Sequence, residues 1–431
     1  MRSLILFAVL YGALLCPHQS FASKSFNLKS LMQHALRHSE EIGESVVAVQ
    51  IADLEKTNSF ADFLPKLRLE SFHGYGGVPT NDSKDKWQSQ FGLTLSETLY
   101  NDGKNYLAYQ KSKLAKEKAN LSAQEVRAKI LLGVIEAYFD HALLNKSLEI
   151  TKRNEGILQK KYKNTKSNYL AGIKRKQDYL RFESEYKQAS LRVKRVLQDL
   201  KLSKIKIKNL IGMPVKQTLE IDTKTQRDLS EILKKDVTLN PENSFLFRGQ
   251  KINAKLENLD VKLKKKPVFP EISLDASARY GAEDYLYTGD KIHTNDRLEW
   301  VVGLKLNYTI WDTGKTYRNY KIAKKQFAIA ELKRKNIYAG VTEKQEQLKS
   351  QFDLEKESLQ LSREIYMSEK GSFSVIEKGY RNGRVAFLDF LQAVTGLAAS
   401  ELSYHQNIYD LKKLYAKVLF EQAKLDENIN L

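Results

Sequence analysis

Phe91-Gly92-Leu93-Thr94-Leu95-Ser96-Glu97-Thr98-Leu99-Tyr100-Asn101-Asp102-Gly103-Lys104 returns 211 residues later as Val302-Gly303-Leu304-Lys305-Leu306-Asn307-Tyr308-Thr309-Ile310-Trp311-Asp312-Thr313-Gly314-Lys315. The same shift carries Tyr169-Leu170-Ala171-Gly172 onto Tyr380-Arg381-Asn382-Gly383, and Asp178 onto Asp389. Two separate landmarks keep one register, so the chain reads as two copies of one unit. The quoted stretch also says what the unit contains. Its first half alternates: Trp87, Phe91, Leu93, Leu95 and Leu99 fall on one face, Gln88, Gln90, Thr94, Ser96 and Thr98 on the other. That period of two is a strand with an apolar and a polar side. From Lys104 the period changes. Val126-Ile130-Val134-Tyr138 and Leu131-Ile135-Phe139-Leu143 recur every four residues and form one helical stripe.

Working outward, Leu64-Pro65 and Phe269-Pro270 mark helix-to-strand changes, since proline is tolerated at the start of a strand and not in its middle. Lys66 to Gly77 alternates through Leu67 and Leu69. In the second copy Ile272, Leu274, Ala276, Ala278 and Tyr280 oppose Ser273, Asp275, Ser277 and Arg279. Trp300, Val302, Leu304, Leu306, Tyr308 and Ile310 oppose Lys305 and Asn307. Proline is absent from Lys104 to Tyr169 and from Lys315 to Tyr380, and a continuous helix of that length reaches about 100 Å at ~1.5 Å per residue. Gly172 and Gly383 interrupt the pattern, and returning helices run to about Leu210 and Leu425. The expected organisation is a leader at 1–22, a leading helical piece at 23–64, a β-hairpin at 65–100 and a helical hairpin at 101–212. A linker at 213–240 follows, then a second helical piece at 241–266, a β-hairpin at 267–311, a helical hairpin at 312–425 and a tail at 426–431.

The leader places Arg2 before an apolar run from Leu4 to Leu15 and ends in Ser20-Phe21-Ala22, so cleavage after Ala22 and export are expected. No later run approaches the roughly 18–20 apolar residues of a membrane-spanning helix. The only cysteine, Cys16, lies in the leader, which leaves the exported chain without thiol chemistry. Its predecessor Leu15 is not the small residue that lipid attachment there would need. Lys and Arg number 71 against 52 Asp and Glu, a formal charge of +19. In an exported chain whose lysines are interleaved with Glu and Gln, that excess reads as a solvated helical surface rather than a nucleic-acid footprint.

Trp87, Trp300 and Trp311 are read as strand ends forming membrane girdles. Strands with one apolar face suit a β-barrel facing outer-membrane lipid, with a soluble sandwich as the alternative. Four strands cannot close a barrel, and open edges are not viable in lipid. Several copies must therefore share one barrel: two give eight strands, three give twelve, and only twelve leave an obvious pore. The long helices then project away from the lipid and pack side by side.

The duplicated junctions Leu99-Tyr100-Asn101-Asp102-Gly103 and Ile310-Trp311-Asp312-Thr313-Gly314, with the opening segment from Leu28 to Glu41, resemble the TolC-like outer-membrane efflux family across nearly the whole exported chain. The resemblance implies a mixed α and β membrane protein. It implies a homotrimer whose twelve-stranded outer-membrane barrel continues into a twelve-helix periplasmic barrel, with two internal structural repeats per chain. It implies a passive duct serving a periplasmic adaptor (membrane fusion protein) and an inner-membrane pump, ABC or proton-driven, in efflux or type I secretion. The turn from Gly379 to Gly383, followed by Leu388-Asp389-Phe390-Leu391-Gln392-Ala393, is similar to the family's second turn and constriction. By position, Asp389 and Gln392 would line the narrowest ring. Asp178, Tyr380 and Arg384 would hold the end closed, and the turns Ala171-Gly172-Ile173 and Asn382-Gly383 would meet the adaptor. Gln392 stands where the family's namesake has a second aspartate. Val385 stands where it has an arginine, with Arg384 adjacent.

His34 and His38 have a spacing that can place two imidazoles on one metal, but no third ligand accompanies them. Gly74, Gly76 and Gly77 lie at a strand end before a polar loop from Thr80 to Lys86 and read as part of an outer loop rather than a phosphate cradle. No nucleophile, base and orienting residue fall into a catalytic pattern. The expectation is a non-enzyme with no cofactor and no metal. The competing reading is an exported structural coiled-coil envelope protein without channel activity.

Overall fold

The computed structural model describes residues 25–76, 86–223, 232–233, 237–283 and 295–425. The leader, the tail and most of the loop from Thr80 to Lys86 lie outside the described residues. In chain order the first unit contains β1 (Ser25–Phe26), α1 (Leu28–His38), α2 (Glu40–Ala61), β2 (Lys66–Gly76), β3 (Lys86–Tyr100), α3 (Lys104–Leu170) and α4 (Lys176–Leu210). After β4 (Glu220–Ile221) come α5 (Phe245–Leu263), β5 (Glu271–Glu283), β6 (Asn295–Asn307), α6 (Lys315–Arg381) and α7 (Phe387–Glu421). Both α3 and α6 have 67 residues, and both α4 and α7 have 35. Lys104 to Lys315 and Lys176 to Phe387 are both offsets of 211.

The strand-to-helix reversals have a local cause. Asp102 and Gly103 adopt φ of 57° and 73°, and Thr313 and Gly314 adopt 53° and 79°. Two successive left-handed residues turn the chain sharply, and glycine occupies the second without steric cost. The first turn of the following helix is then closed by a side chain. Asp312 accepts from the backbone N–H of Gly314 and Thr316 at 3.1 and 2.7 Å, and Asn101 accepts from that of Asn105 at 3.3 Å. Each satisfies a donor that has no intrahelical partner.

The four long strands form one antiparallel sheet in the order β2-β3-β5-β6. The middle pair, β3 with β5, joins the two hairpins, and β2 and β6 are open edges. The helices lie side by side as α4-α3-α7-α6, with α2 and α5 packed on α3 and α5 also on α6. The main core sits midway along α3, where the sequence stripe is buried: Ile130, Val134 and Tyr138 beside Leu131, Ile135 and Phe139. α1 and the last turns of α7 cover it, with Phe139 stacked on Tyr409 at 6.0 Å. The two-residue strands β1 and β4 pair in parallel beside this core, and Tyr138 donates from its hydroxyl to the Asp222 carbonyl at 2.9 Å. A second cluster lies near the far end, built on Leu158, Phe182, Ala189, Phe390 and Val394.

Two sequence expectations are corrected. Trp300 is not a strand end: β6 begins at Asn295, because Leu298 already shares the face of Trp300 and pairs with Tyr280 of β5. Trp311 lies beyond β6, which stops at Asn307 where its pairing to Glu271 runs out. The strand expected to end at Trp300 and Trp311 instead carries an apolar band from Leu298 to Leu306. At ~3.3 Å per residue that is about 26 Å of strand, or roughly 20 Å along an axis tilted 35–45°. The leading piece is also broken: Ser39, with ψ of 125°, separates α1 from α2.

Candidate functional site

The sheet separates two chemistries. On one face, pairing places Leu67, Leu95, Ala276 and Val302 in one row, and Leu69, Leu93, Ala278 and Trp300 in the next. Leu67 and Leu69 are each 70% exposed and Trp300 is 72% exposed, so among the described residues nothing covers that face. The other face carries Arg68, Thr94 and Ser277 in one row and Glu70, Arg279 and Glu299 in another. The Asp275 carboxylate there accepts from the hydroxyls of Ser273, at 2.9 Å, and Ser96. Trp87 is the second residue of β3, and its side chain lies outside the described residues. Trp311 is 78% exposed just past β6.

At the other end of the molecule the two helical turns share one geometry. Gly172 and Gly383 both adopt φ of 74°. Ile173 N–H reaches back to the Asn168 carbonyl at 2.8 Å, and Arg384 N–H to the Gly379 carbonyl at 2.9 Å. This closes orphan carbonyls at the end of each long helix, and the left-handed residue it requires is glycine in both. Ala171, Asn382 and Arg384 are exposed, as is Ile173. Matching ring pairs follow: Tyr169 with Tyr179 at 4.8 Å and Tyr380 with Phe390 at 4.6 Å.

The second cluster brings the two ends together. Phe182 of α4 meets Phe387 of α7 edge-on at 4.5 Å, and Lys161 of α3 lies over the rings of Tyr380 and Phe390 at 4.8 and 4.9 Å. Burial holds the Lys161 amine below the ordinary lysine range. Burial first, and the Asp178 carboxylate second, raise the Tyr380 phenol above its ordinary value. The Asp178 charge on one hairpin is thus felt by Tyr380 on the other. Asp389 stands apart, exposed in the first turn of α7, with Gln392 exposed one turn further on the same side. Lys161, Phe182 and Phe387 were missed by motif reading. Their only signal is helical spacing, such as Leu158 to Tyr162 and Phe182 to Tyr186, which any core helix shares.

His34 donates from Nδ1 to the Ile211 carbonyl at 3.0 Å and stacks on His38 at 4.1 Å. Among the described residues no three His, Cys, Asp or Glu side chains converge as metal ligands, and no helix is long and apolar enough to cross a membrane.

A family model for the outer membrane efflux protein matches residues 31–213 and 242–417, leaving out most of the linker. The chain belongs to that family. Nodulation protein T of Rhizobium leguminosarum bv. trifolii is 21% identical over 398 residues, 90% of this chain and 84% of that protein. Pyoverdine export outer membrane protein OpmQ of Pseudomonas aeruginosa is 23% identical over 397 residues, 87% and 80% of the two chains. The crystal structure of the outer membrane protein VceC from Vibrio cholerae superposes with a TM-score of 0.77 at 14% identity, covering 92% of this chain and 96% of that one. The TolC-like family read from the two junctions is thus borne out. The protein is an outer-membrane efflux channel component, located in the outer membrane with its helices in the periplasm.

Proposed function

We propose that three copies of the chain, each contributing two repeats of one unit, form a passive exit duct. It has a twelve-stranded barrel in the outer membrane and a twelve-helix tunnel below it. The observation that carries this reading is the sheet: apolar and uncovered on one face, polar on the other, with two unpaired edges. Lipid cannot satisfy free strand edges, so the sheet must close with other copies. The helical edges support the same reading. Ile322, Ile329, Leu354 and Leu361 on α6 and Leu191 and Leu202 on α4 are all exposed apolar positions awaiting neighbours. A coiled-coil tether without a channel would have no use for an apolar sheet face.

In this duct the turns around Gly172 and Gly383 form the periplasmic tip, where a periplasmic adaptor linked to an inner-membrane pump docks. Contact between Asp178 and Tyr380, with Arg384 nearby, holds the tip closed. Three Asp389 carboxylates form the constriction, with Gln392 one turn behind. Trp87, Trp300 and Trp311 contact lipid at different depths. The test is extraction in mild detergent with light scattering, then planar-bilayer recording. A trimer that inserts and conducts is expected; a folded monomer, or insertion without conductance, would sink the proposal.

A further inference from the structure

A groove of about 1320 Å³ lies where the sheet meets the helices, with walls from α2, α3, α5, α6 and the ends of β5 and β6. Its strand residues, Glu271 and Asn307, pair with each other and share the polar face of the sheet with Ser273, Asp275 and Lys305. In the duct proposed above that face lines the lumen, so the groove opens inward at the floor of the barrel.

The groove holds more positive than negative charge once internal pairs are set aside. Lys111 donates to both carboxylate oxygens of Asp260, at 2.7 and 2.8 Å, and the two neutralise each other. Asp312 is occupied in capping α6, accepting from the N–H groups of Gly314 and Thr316. Four more lysines line the groove: Lys104 at the start of α3, and Lys264, Lys265 and Lys266 between α5 and β5. Among the described residues no carboxylate lies within salt-bridge distance of any of the four. The other acidic groups on the wall are Glu55 and Glu271, so each copy keeps an excess of two positive charges there. The fold itself does not require the lysine run. Pro65 and Pro270 stand just before β2 and β5, and counting back equally from them sets Lys264-Lys265-Lys266 against Ser59-Phe60-Ala61. The first unit makes the same helix-to-strand change with no cation at those places.

A concave wall with an excess of one sign focuses its field and concentrates the opposite ion, and rings of Lys or Arg are how pores favour anions. We propose that this groove is a binding station for multivalent organic anions, repeated three times around the lumen where barrel and tunnel join. Lysine suits that class: an ammonium group on a flexible stem meets a carboxylate, phosphate or sulfonate as a point charge, without a fixed approach. The place of the station in a lumen rests on the duct reading; its preference for anions rests on the groove alone. The duct then carries opposite signs in series, carboxylates of Asp389 near the tip and lysines at the junction.

Amine acetylation of the purified full chain, read by peptide mass spectrometry, tests binding at single residues. With pyrenetetrasulfonate as the probe anion, in detergent free of phospholipid, modification of Lys264, Lys265 and Lys266 should slow about threefold or more. Lys262, exposed and outside the groove, should keep its rate. Raising salt to about 1 M, where the screening length falls to about 3 Å, should abolish the protection. In planar bilayers of uncharged lipid, K264Q/K265Q/K266Q should raise cation preference about twofold by reversal potential, E271Q should lower it and K262Q should leave it unchanged. Protection of Lys262 equal to that of its neighbours, or protection of none, overturns the binding station, as does unchanged selectivity in a conducting K264Q/K265Q/K266Q channel. The two readings fail separately. Protected lysines in protein that inserts without conducting would remove the duct and keep the anion site, whereas a conducting channel without protection would keep the duct and remove the site.

Discussion

The two helical hairpins have the same helix lengths, the same glycine turns and three equivalent backbone hydrogen bonds at those turns, but their surfaces and cores differ. Between residues 160 and 181 eight basic side chains stand against one acidic one; in the equivalent window, 371 to 392, three stand against two. Lys160, Lys163, Lys166, Lys174, Arg175 and Lys176 are all exposed, and among the described residues none has a carboxylate within salt-bridge distance. Deeper in, the first hairpin has His141 where the second has Phe352, both buried. What the comparison teaches is that helix packing and turn geometry constrain the backbone, while charge at the tip and one core position are free to diverge. Two equivalent turns can therefore offer a partner unlike faces.

The sharpest way to break this contrast is charge reversal. K174E/R175E/K176E should lower export roughly tenfold or more, since clustered interface charges govern encounter and register with a partner. R381E/R384E should lower it only about threefold. Export of a reporter or drug susceptibility in a deletion strain measures both, with trimer yield as control. Equal losses would mean that the charge difference does not matter to docking.

The core difference predicts a pH effect. Burial drives the His141 imidazole down to about 4, with Lys204 adding to the shift, while Nδ1 and the Ser203 hydroxyl are 2.7 Å apart. In the unfolded chain the ring takes a proton near its ordinary 6.5, which the folded chain refuses, so stability falls as pH drops from 6.5 towards 4. The contribution is on the order of 3 kcal/mol at most. His141→Phe, copying the second hairpin, should flatten that part of the melting temperature against pH. His34 and His405, also lowered chiefly by burial, leave a smaller slope. An unchanged slope in His141→Phe would assign the effect to other groups.

Much of this contrast was legible in the sequence, and the parts that were not share a physical reason. The strand-to-helix junctions and Gly172 and Gly383 could be read because a left-handed turn restricts residue type, and the α3 stripe because eight apolar residues repeat at one spacing. β1 and β4 could not, since two-residue strands have no period. The end of β6 was misplaced because alternation continues through Tyr308 and Ile310, while pairing within one chain does not. Asp178 and Tyr380 were placed by family position. Lys161, which lies over Tyr380, carries no sequence mark that separates it from the lysines around it.

Smaller effects should treat the hairpins alike or separate their acidic residues. Gly172→Ala and Gly383→Ala each add a Cβ that meets no atom within 4 Å, so each should cost only the left-handed backbone penalty, about 1–2 kcal/mol. Equal lowering of stability in the two variants is expected by denaturant titration; unequal lowering would show that the turns differ in more than charge. Asp178 and Asp389 are equivalent by offset but not by surroundings. Asp389→Asn should reduce cation preference and block by multivalent cations in bilayer recordings, and Gln392→Asp should strengthen both. Asp178→Asn should leave selectivity unchanged and increase the open fraction. Unchanged selectivity in both constriction variants would remove Asp389 from the pore.

The distance between the two buried clusters has a mechanical consequence. From Tyr138 in the main core to Leu170 at the end of α3, an uninterrupted helix spans about 48 Å at ~1.5 Å per residue. A beam of that length, anchored by α1 and the end of α7, acts as a lever: by that rise a tilt of about 5° at the anchor carries the turn roughly 4 Å sideways. Such a tilt could dilate the tip while the main core repacks by only a fraction of a side chain's width. The contacts among Phe182, Phe387, Tyr380 and Lys161, placed near the far end of the arm, resist that swing with the greatest mechanical advantage available in the fold.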